Sequence, residues 1–295
     1  MSAARVLIVG GSGQLGTALS RELGDRELVM PPHGALAFED AGALARQLDE
    51  TRPDVVINCA AFHAVDACEV EQERAFAVNA IAVGRAAAAC AARGIAFATV
   101  STDYVFDGTL GRPYREDDVV NPRTAYGVSK AAGELLARRH GPRHYVLRTS
   151  GLYGTIGSSN KGYTLIEKVL QQAERGEPTR MVADMTFSPS FAPHVARAVR
   201  DLIDREAFGT HHLTNGGACT WYEFVQTAFA KAGYAGAPLE PITYASLANP
   251  TQRPMCSPLE NTTFARLGIE PLPHWEAGLD AFLAARRAAP APARS

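Results

Sequence analysis

Tyr126 and Lys130 stand four residues apart in Thr124-Ala-Tyr-Gly-Val-Ser-Lys-Ala-Ala-Gly-Glu134, a stretch that reads as a helix. Residues at that spacing lie one above the other on a single helix face, so a phenol and an ammonium project into one cleft. The pair suits proton transfer: a tyrosine titrates near about 10, and a fixed positive charge beside it favours phenolate, bringing its acid strength closer to neutral pH. Thr102, just beyond the apolar run Ile95 to Val100, adds a hydroxyl to the same place. The bland alternative is a partly buried helix tyrosine and a solvated lysine. Tyr-x-x-x-Lys is weak by itself in a chain with nine tyrosines, so its neighbours decide.

The first neighbour is a glycine turn. Arg5-Val-Leu-Ile-Val9 is an unbroken apolar run, the pattern of a strand buried on both faces of a parallel sheet. Gly10, Gly13 and Gly16 follow at once, then a helical stretch from Gln14 to Leu23. Strand, glycine turn and helix in that order let backbone N–H groups approach a pyrophosphate at a helix N-terminus; an ordinary packing turn is the alternative. The second strand, Glu27 to Met30, ends in Pro31-Pro32-His33, without the carboxylate that an NAD site places on the ribose 2'-hydroxyl. That favours NADP(H), with His33 either facing the 2'-phosphate or solvated; NADH remains open.

Further elements follow the same alternation. Ala41 to Leu48 reads as a helix and Asp54 to Cys59 as a strand, whose exit, Asn58 to Asp66, is built largely from small residues. Small side chains there leave room for an adenosine or nicotinamide, and tight packing would also want them. Cys68, Glu69 and Glu71 read as a solvated helix and not as a metal site. Phe76 to Arg93 is a long alanine-rich helix in which Asn79 is a structural hydrogen-bonding group. His144 to Thr149 is another buried strand. The expected fold is α/β: a Rossmann-type doubly wound parallel sheet over 1–150, and a smaller C-terminal α/β substrate-binding lobe over 151–287, parts of which return to the first domain.

The second half is less repetitive. Gly151 to Gly162 is a glycine- and serine-rich loop; Thr164 to Glu174 and Pro193 to Arg205 are helical, with Arg180 to Ala183 extended between them. His211 to Thr214 reads as a strand whose two histidines point to opposite faces and so do not share a metal. Thr220 and Glu223 have capping-box spacing. Arg253 lies in the loop Gln252 to Ser257 and faces either a phosphate or solvent. Helices follow at Asn261 to Leu267 and Trp275 to Arg287, and the small-residue segment 288–295 reads as a disordered tail.

Composition narrows the class. With a net charge of -2 and 46% hydrophobic residues, the 295-residue chain shows neither a nucleic-acid footprint nor a disordered composition. Five cysteines without C-x-x-C spacing argue against a disulfide framework and a zinc site and fit a reduced cytoplasm. Neither an export segment nor a membrane span of about 20 apolar residues is visible.

These residues carry a resemblance that covers nearly the whole chain. The sequence resembles the extended short-chain dehydrogenase/reductase superfamily and, within it, the dTDP-4-dehydrorhamnose reductase family. The match rests on Gly10-Gly-Ser-Gly-Gln-Leu-Gly16, Asn58-Cys-Ala-Ala with Val65-Asp66, Ser101-Thr-Asp-Tyr-Val-Phe-Asp-Gly108 and Pro113-Tyr114 with Glu116. It continues through Tyr126 to Lys130 with Gly133-Glu134, Arg148-Thr-Ser, Thr220-Trp-Tyr-Glu-Phe224 and Arg253-Pro254 with Ser257. A sugar-nucleotide 4,6-dehydratase would show an acidic pair directly after the threonine, which Asp103-Tyr104 does not supply.

The resemblance implies hydride transfer from a nicotinamide to the C4 ketone of dTDP-4-dehydro-L-rhamnose. Thr102 would hydrogen-bond the ketone oxygen, Tyr126 would protonate it, and Lys130 would hold the nicotinamide ribose and depress the tyrosine pKa. Cofactor contacts would fall on Gly10, Gly13, Gln14, Leu15, Gly16, His33, Cys59, Ala60, Ala61, Tyr126 and Lys130. The sugar nucleotide would meet Val65, Thr102, Asp103, Tyr104, Gly151 and Arg253. Some reductases of this group use Mg2+ at a subunit contact, but no acidic cluster marks such a site here, and monomer and homodimer stay open.

Three departures lie on the sugar side. Gly151 stands where the family commonly has tryptophan, Lys161-Gly-Tyr163 displaces an Asn-Phe, and Asp184-Met-Thr-Phe-Ser-Pro-Ser190 replaces a D-Q-x-G-x-P-T pattern. They leave room for a different deoxysugar, for a related epimerase or reductase, or for a regulatory subunit that binds a nucleotide without turnover. An intact Tyr126/Lys130 pair argues against the last.

Overall fold

The short apolar runs of the first half have no face to give to water, and they pair with one another. In the computed structural model, which describes residues 4–32, 38–156, 164–248 and 251–288, they form one six-stranded sheet. Its members are Arg5–Val9 (β1), Glu27–Val29 (β2), Val55–Asn58 (β3), Ala96–Thr102 (β4), His144–Thr149 (β5) and Gly209–His212. The order from one edge is Gly209–His212, β5, β4, β3, β1, β2, and every pairing is parallel. The order reverses at β1, which has β2 on one side and β3 on the other. Ligands of open parallel sheets sit at such a reversal, beyond the carboxyl ends of the strands.

Alternate residues of each strand feed two separate cores. Val6, Ile8 and Leu147 pack with the helices Gln14–Glu22 and Ala192–Asp204, through Leu15, Leu19, Val195, Val199 and Leu202. Leu7, Val9, Val56 and Phe97 pack on the other face with Leu44, Leu48, Val83, Ala86 and Ala137 of the helices Ala41–Thr51, Ala82–Ala91 and Ala125–Arg139. Both faces are covered, as the unbroken apolar runs demand. A third core, around Tyr153, Phe187, Phe224, Trp275 and Phe282, binds the helices Leu165–Glu174, Trp221–Ala232 and Trp275–Ala288 into the smaller lobe.

The second half returns to the first more than once. Helix Ala192–Asp204, strand Gly209–His212 and the residues Phe264, Ile269 and Leu272 all belong to the sheet's own core. The predicted strand His211 to Thr214 therefore lies at Gly209–His212. His211 meets Thr263 and Ala207, whereas His212 meets Arg148 and Glu260, so the two do point apart. Thr220 and Glu223 form the expected capping box.

Three local expectations fail. The long helix expected over Phe76 to Arg93 is broken by a π-turn, Ala77–Ile81, between the helices Gln72–Phe76 and Ala82–Ala91. The wider turn carries Asn79 inward, where it accepts from the Phe62 N–H at 2.9 Å and donates to the Phe62 carbonyl at 2.9 Å and the Ser129 hydroxyl at 3.1 Å. Cys68, expected on a solvated helix, is buried in Val65–Val70 with its thiol toward the Phe62 carbonyl. Ala288, placed in the tail by composition, is helical; residues 289–295 lie outside the described residues.

Candidate active site

β1 ends at Val9 and the chain turns at once through Gly10, whose φ of 75° favours glycine. A Cβ there would lie 2.8 Å from the Ala60 nitrogen, and one on Gly16 would lie 2.5 Å from the Gly10 carbonyl oxygen. The glycines thus let the turn after β1 close onto the exit of β3, where Cys59, Ala60 and Ala61 sit. Gly13 begins the helix Gln14–Glu22 without a side chain to cap it, leaving the first N–H groups of that helix for an anion. Leu15 is buried beneath the turn, and the Gln14 side-chain oxygen is buried without a partner among the described residues. A dinucleotide pyrophosphate fits this cradle. Beyond β2 the chain runs Met30-Pro31-Pro32 with no carboxylate; His33 lies outside the described residues.

The candidate reactive side chains gather at the carboxyl end of β4. Ser101 and Thr102 are its last residues, paired with Arg148 and Thr149 of β5, and a 3₁₀ turn Asp103–Val105 follows. Thr124 caps the next helix, Ala125–Arg139, through the Gly127 N–H, which starts the helix just ahead of Tyr126. Lys130, one turn on, is buried and donates from Nζ to the Val100 carbonyl at 2.6 Å. The solvated-lysine alternative is excluded. Burial pushes its ammonium down to about 8, against the opposing charges of Glu134 and Cys59.

Tyr126 departs from expectation in the direction of its pKa. Burial raises it, Asp103, Tyr104 and Cys68 raise it further, and only the Thr102 hydroxyl works the other way. Lys130 is not among the groups that chiefly set it; its ammonium donates to the Val100 carbonyl. A phenol held in its neutral form is nonetheless the state a proton donor needs. Tyr104 stands edge-on to it, ring centroids 5.8 Å apart.

Two buried carboxyl groups flank this strand end. Asp103 accepts from the Thr102 hydroxyl at 3.1 Å and from Ser257 at 2.6 Å, and burial pushes it up to about 6. Glu134 accepts from Ser101 at 2.6 Å, from Arg148 at 2.9 and 2.7 Å, and from Arg138 at 2.8 Å. Burial opposes its charge, but Arg148, Ser101 and Arg138 together hold it below the usual carboxylate range. Arg148 also lies over the Phe106 ring and donates toward His212, whose Nδ1 is engaged by the Glu260 carbonyl.

The remaining predicted residues are distributed unevenly. Val65 opens the short helix Val65–Val70, and its neighbour Asp66 holds Arg253 at 2.8 and 2.9 Å and the Thr251 hydroxyl at 2.7 Å. Arg253 is therefore ion-paired, which neither expectation for it foresaw. Gly151, at φ 51°, leaves space that the Phe187 ring fills; a side chain there would overlap that ring. Phe187 stacks in turn on Trp221 at 3.8 Å between centroids. A ring of the 184–190 segment therefore lies directly against Gly151. The third departure, Lys161 to Tyr163, lies outside the described residues.

The long-range partners Glu134–Arg148, Ser257–Asp103 and Asp66–Arg253 left no periodic signal, being joined across loops of irregular length. Among the described residues no group of three His, Cys, Asp or Glu could hold a metal ion, and no helix is long and apolar enough to cross a membrane. An open hollow of about 640 Å³ lies between Asp54, Ile95 and Arg143, at the amino ends of the strands, and involves none of these groups.

A doubly wound sheet with a glycine turn at its switch point and a threonine, tyrosine and lysine at the carboxyl end of β4 defines an extended short-chain dehydrogenase/reductase. The family described as RmlD substrate binding domain matches residues 4–288, and the chain belongs to it. It is 36% identical over 283 residues to a dTDP-4-dehydrorhamnose reductase of Streptomyces griseus, covering 93% of this chain and 91% of that protein. It is 35% identical to the spore coat polysaccharide biosynthesis protein SpsK of Bacillus subtilis, covering 97% and 99%. The crystal structure of dTDP-4-dehydrorhamnose reductase from Bacillus anthracis in complex with NADP superposes with a TM-score of 0.90 at 30% identity, covering 97% of this chain and 100% of that one.

Proposed function

We propose that the protein is an NADPH-dependent reductase that converts the C4 ketone of dTDP-4-dehydro-L-rhamnose to the alcohol of dTDP-L-rhamnose. The observation that carries this reading is the convergence of a neutral Tyr126 phenol, the Thr102 hydroxyl and the buried Lys130 at one strand end. Bound NADPH would supply the hydride, its pyrophosphate over Gly10 to Gly16 and its nicotinamide end toward Cys59 and Lys130. The lack of a carboxylate after β2 supports the phosphorylated cofactor, as does the NADP bound by the Bacillus anthracis relative.

Hydride arrival at C4 leaves negative charge on the former ketone oxygen. Tyr126 gives its proton to that oxygen, and Thr102 donates a hydrogen bond to it, in a site where burial has removed competing water. Lys130, buried one turn along the same helix, would hold the nicotinamide ribose. Asp103, Tyr104, Val65 and Gly151 border the sugar, and Arg253 faces the diphosphate once Asp66 yields it.

A second reading, reduction of a different nucleotide-linked 4-keto-6-deoxysugar, is favoured by Gly151 and Phe187, which rebuild the wall on the sugar side. Enzymatically prepared dTDP-4-dehydro-L-rhamnose tests both. Oxidation of NADPH faster than NADH, lowered about 10²–10⁴-fold in Tyr126→Phe, is the expected result. Tight NADPH binding without turnover would overturn the first reading, and turnover of another 4-keto sugar would establish the second.

A further inference from the structure

A threonine hydroxyl has one proton, and where that proton points decides what the residue can do. Thr102 Oγ1 accepts from the Tyr104 N–H at 3.2 Å and lies 3.1 Å from Asp103 Oδ1. An ionised carboxylate is acceptor-only, so while Asp103 is charged both Thr102 and Ser257 must donate to it. Thr102 then has no proton left for a ketone oxygen. A neutral Asp103 reverses the bond: its own O–H donates to Thr102 Oγ1, and the threonine proton turns into the cleft. We propose that Asp103 is a positioning residue for Thr102, its protonation state setting the direction in which the threonine hydroxyl donates. This rests on the reading of Thr102 as a donor to the ketone oxygen.

The surroundings of Asp103 suit a group that carries a proton up to about pH 6. It is 4% exposed, and the groups that chiefly oppose its burial are the hydroxyls of Ser257, Ser150 and Thr102 and its own backbone, with no ammonium or guanidinium among them. From the Ala125–Arg139 helix it faces the Tyr126 phenol, and from its own turn the Tyr104 phenol. From the 251–257 segment it faces Ser257; Arg253 of that segment is held by Asp66 and lies against Tyr104. At the end of β5 the Ser150 hydroxyl is buried beside it, outside hydrogen-bond geometry. A sugar seated over this group excludes water further and favours the neutral acid more.

Infrared titration of protein carrying labelled aspartate reads Asp103 without turnover, by difference between wild type and Asp103→Asn. The neutral-carboxyl band should persist to about pH 6, and Thr102→Val should move its midpoint upward by removing a donor to the charged form. An unmoved midpoint would overturn the coupling. In turnover of dTDP-4-dehydro-L-rhamnose, the wild-type rate should fall above the Asp103 midpoint by up to about 10²-fold, the worth of one oxyanion donor. Read as a ratio of rates within each variant, that limb should vanish in Asp103→Asn, whose amide donates at every pH. Ser257→Ala should shift the limb to higher pH, opposite to what a merely loosened site would do. A wild-type limb in Asp103→Asn, or an unshifted one in Ser257→Ala, would sink the proposal. Absence of turnover in every protein would instead count against the reductase reading, and the infrared midpoints would still decide the inference.

Discussion

Ser101 and Thr102 are neighbours on one strand, their side chains turned to opposite faces, and each donates to a buried carboxyl group. On the Ser101 side, Glu134 is surrounded by two guanidinium groups and ionised well below its usual range. On the Thr102 side, the side chains that donate to Asp103 among the described residues are hydroxyls, and burial pushes it the other way. Burial is the largest single influence on both. The difference therefore comes from the partners: cations lock a carboxylate into one state, whereas hydroxyls can either give or take and leave it two. The first arrangement ties β4, β5 and the Tyr126 helix together. The second faces the cleft where the reaction is proposed.

The strongest way to break this contrast is to remove a cation from the Glu134 side. Arg148→Met leaves a carboxylate at 1% side-chain exposure with Ser101 and the half-exposed Arg138 as its remaining donors. Deleting one partner of a buried pair costs about 3–5 kcal/mol, so chemical denaturation should show a loss of that size. A loss below about 1 kcal/mol would mean that the pair is not what joins the strands to the helix.

The pH dependence of stability sharpens the contrast next, because the two acids carry opposite signs. Glu134, lowered in the fold, contributes stability that is present above its unfolded value of 4.5 and lost as pH falls through its folded value. Asp103, raised in the fold, contributes stability that is present below its unfolded value of 3.8 and lost as pH rises through about 6. Asp103→Asn removes that second slope. Relative to wild type it should gain on the order of 3 kcal/mol between pH 4 and about 7, following the size of the shift. Parallel stability curves for the two proteins would show that Asp103 is not the group titrating.

The two sides also differ in how far they can be read from residue order. The glycine turn, the Tyr126/Lys130 pair and the buried strands follow from spacings within a few residues, where helix and strand periods operate. Lys130 lies on the expected helix, yet the partner of its ammonium is the Val100 carbonyl, thirty residues earlier on the adjoining strand. Ser257 meets Asp103 across 154 residues, and Arg253 meets Asp66 across 187. No local period spans such distances. The contact between Gly151 and the Phe187 ring joins two segments that residue order leaves unrelated.

The smallest expected effect separates the neighbouring hydroxyls themselves. Ser101→Ala removes one of four donors to Glu134, and the three remaining N–H groups belong to arginines that stay charged at every working pH. Its cost should be about 1.5–3 kcal/mol, the worth of one hydrogen bond to a charged group, and constant from pH 5 to 8. Thr102→Val removes the acceptor of the Tyr104 N–H at every pH, and a donor to Asp103 while Asp103 is ionised. Its cost should be larger at pH 8 than at pH 5, since the loss raises the Asp103 pKa and makes the charged form harder to hold. Denaturation of both variants at the two pH values decides the matter. Two costs that are equally flat would mean that Asp103 keeps one protonation state throughout, like Glu134, and that the strand end has no two-state side.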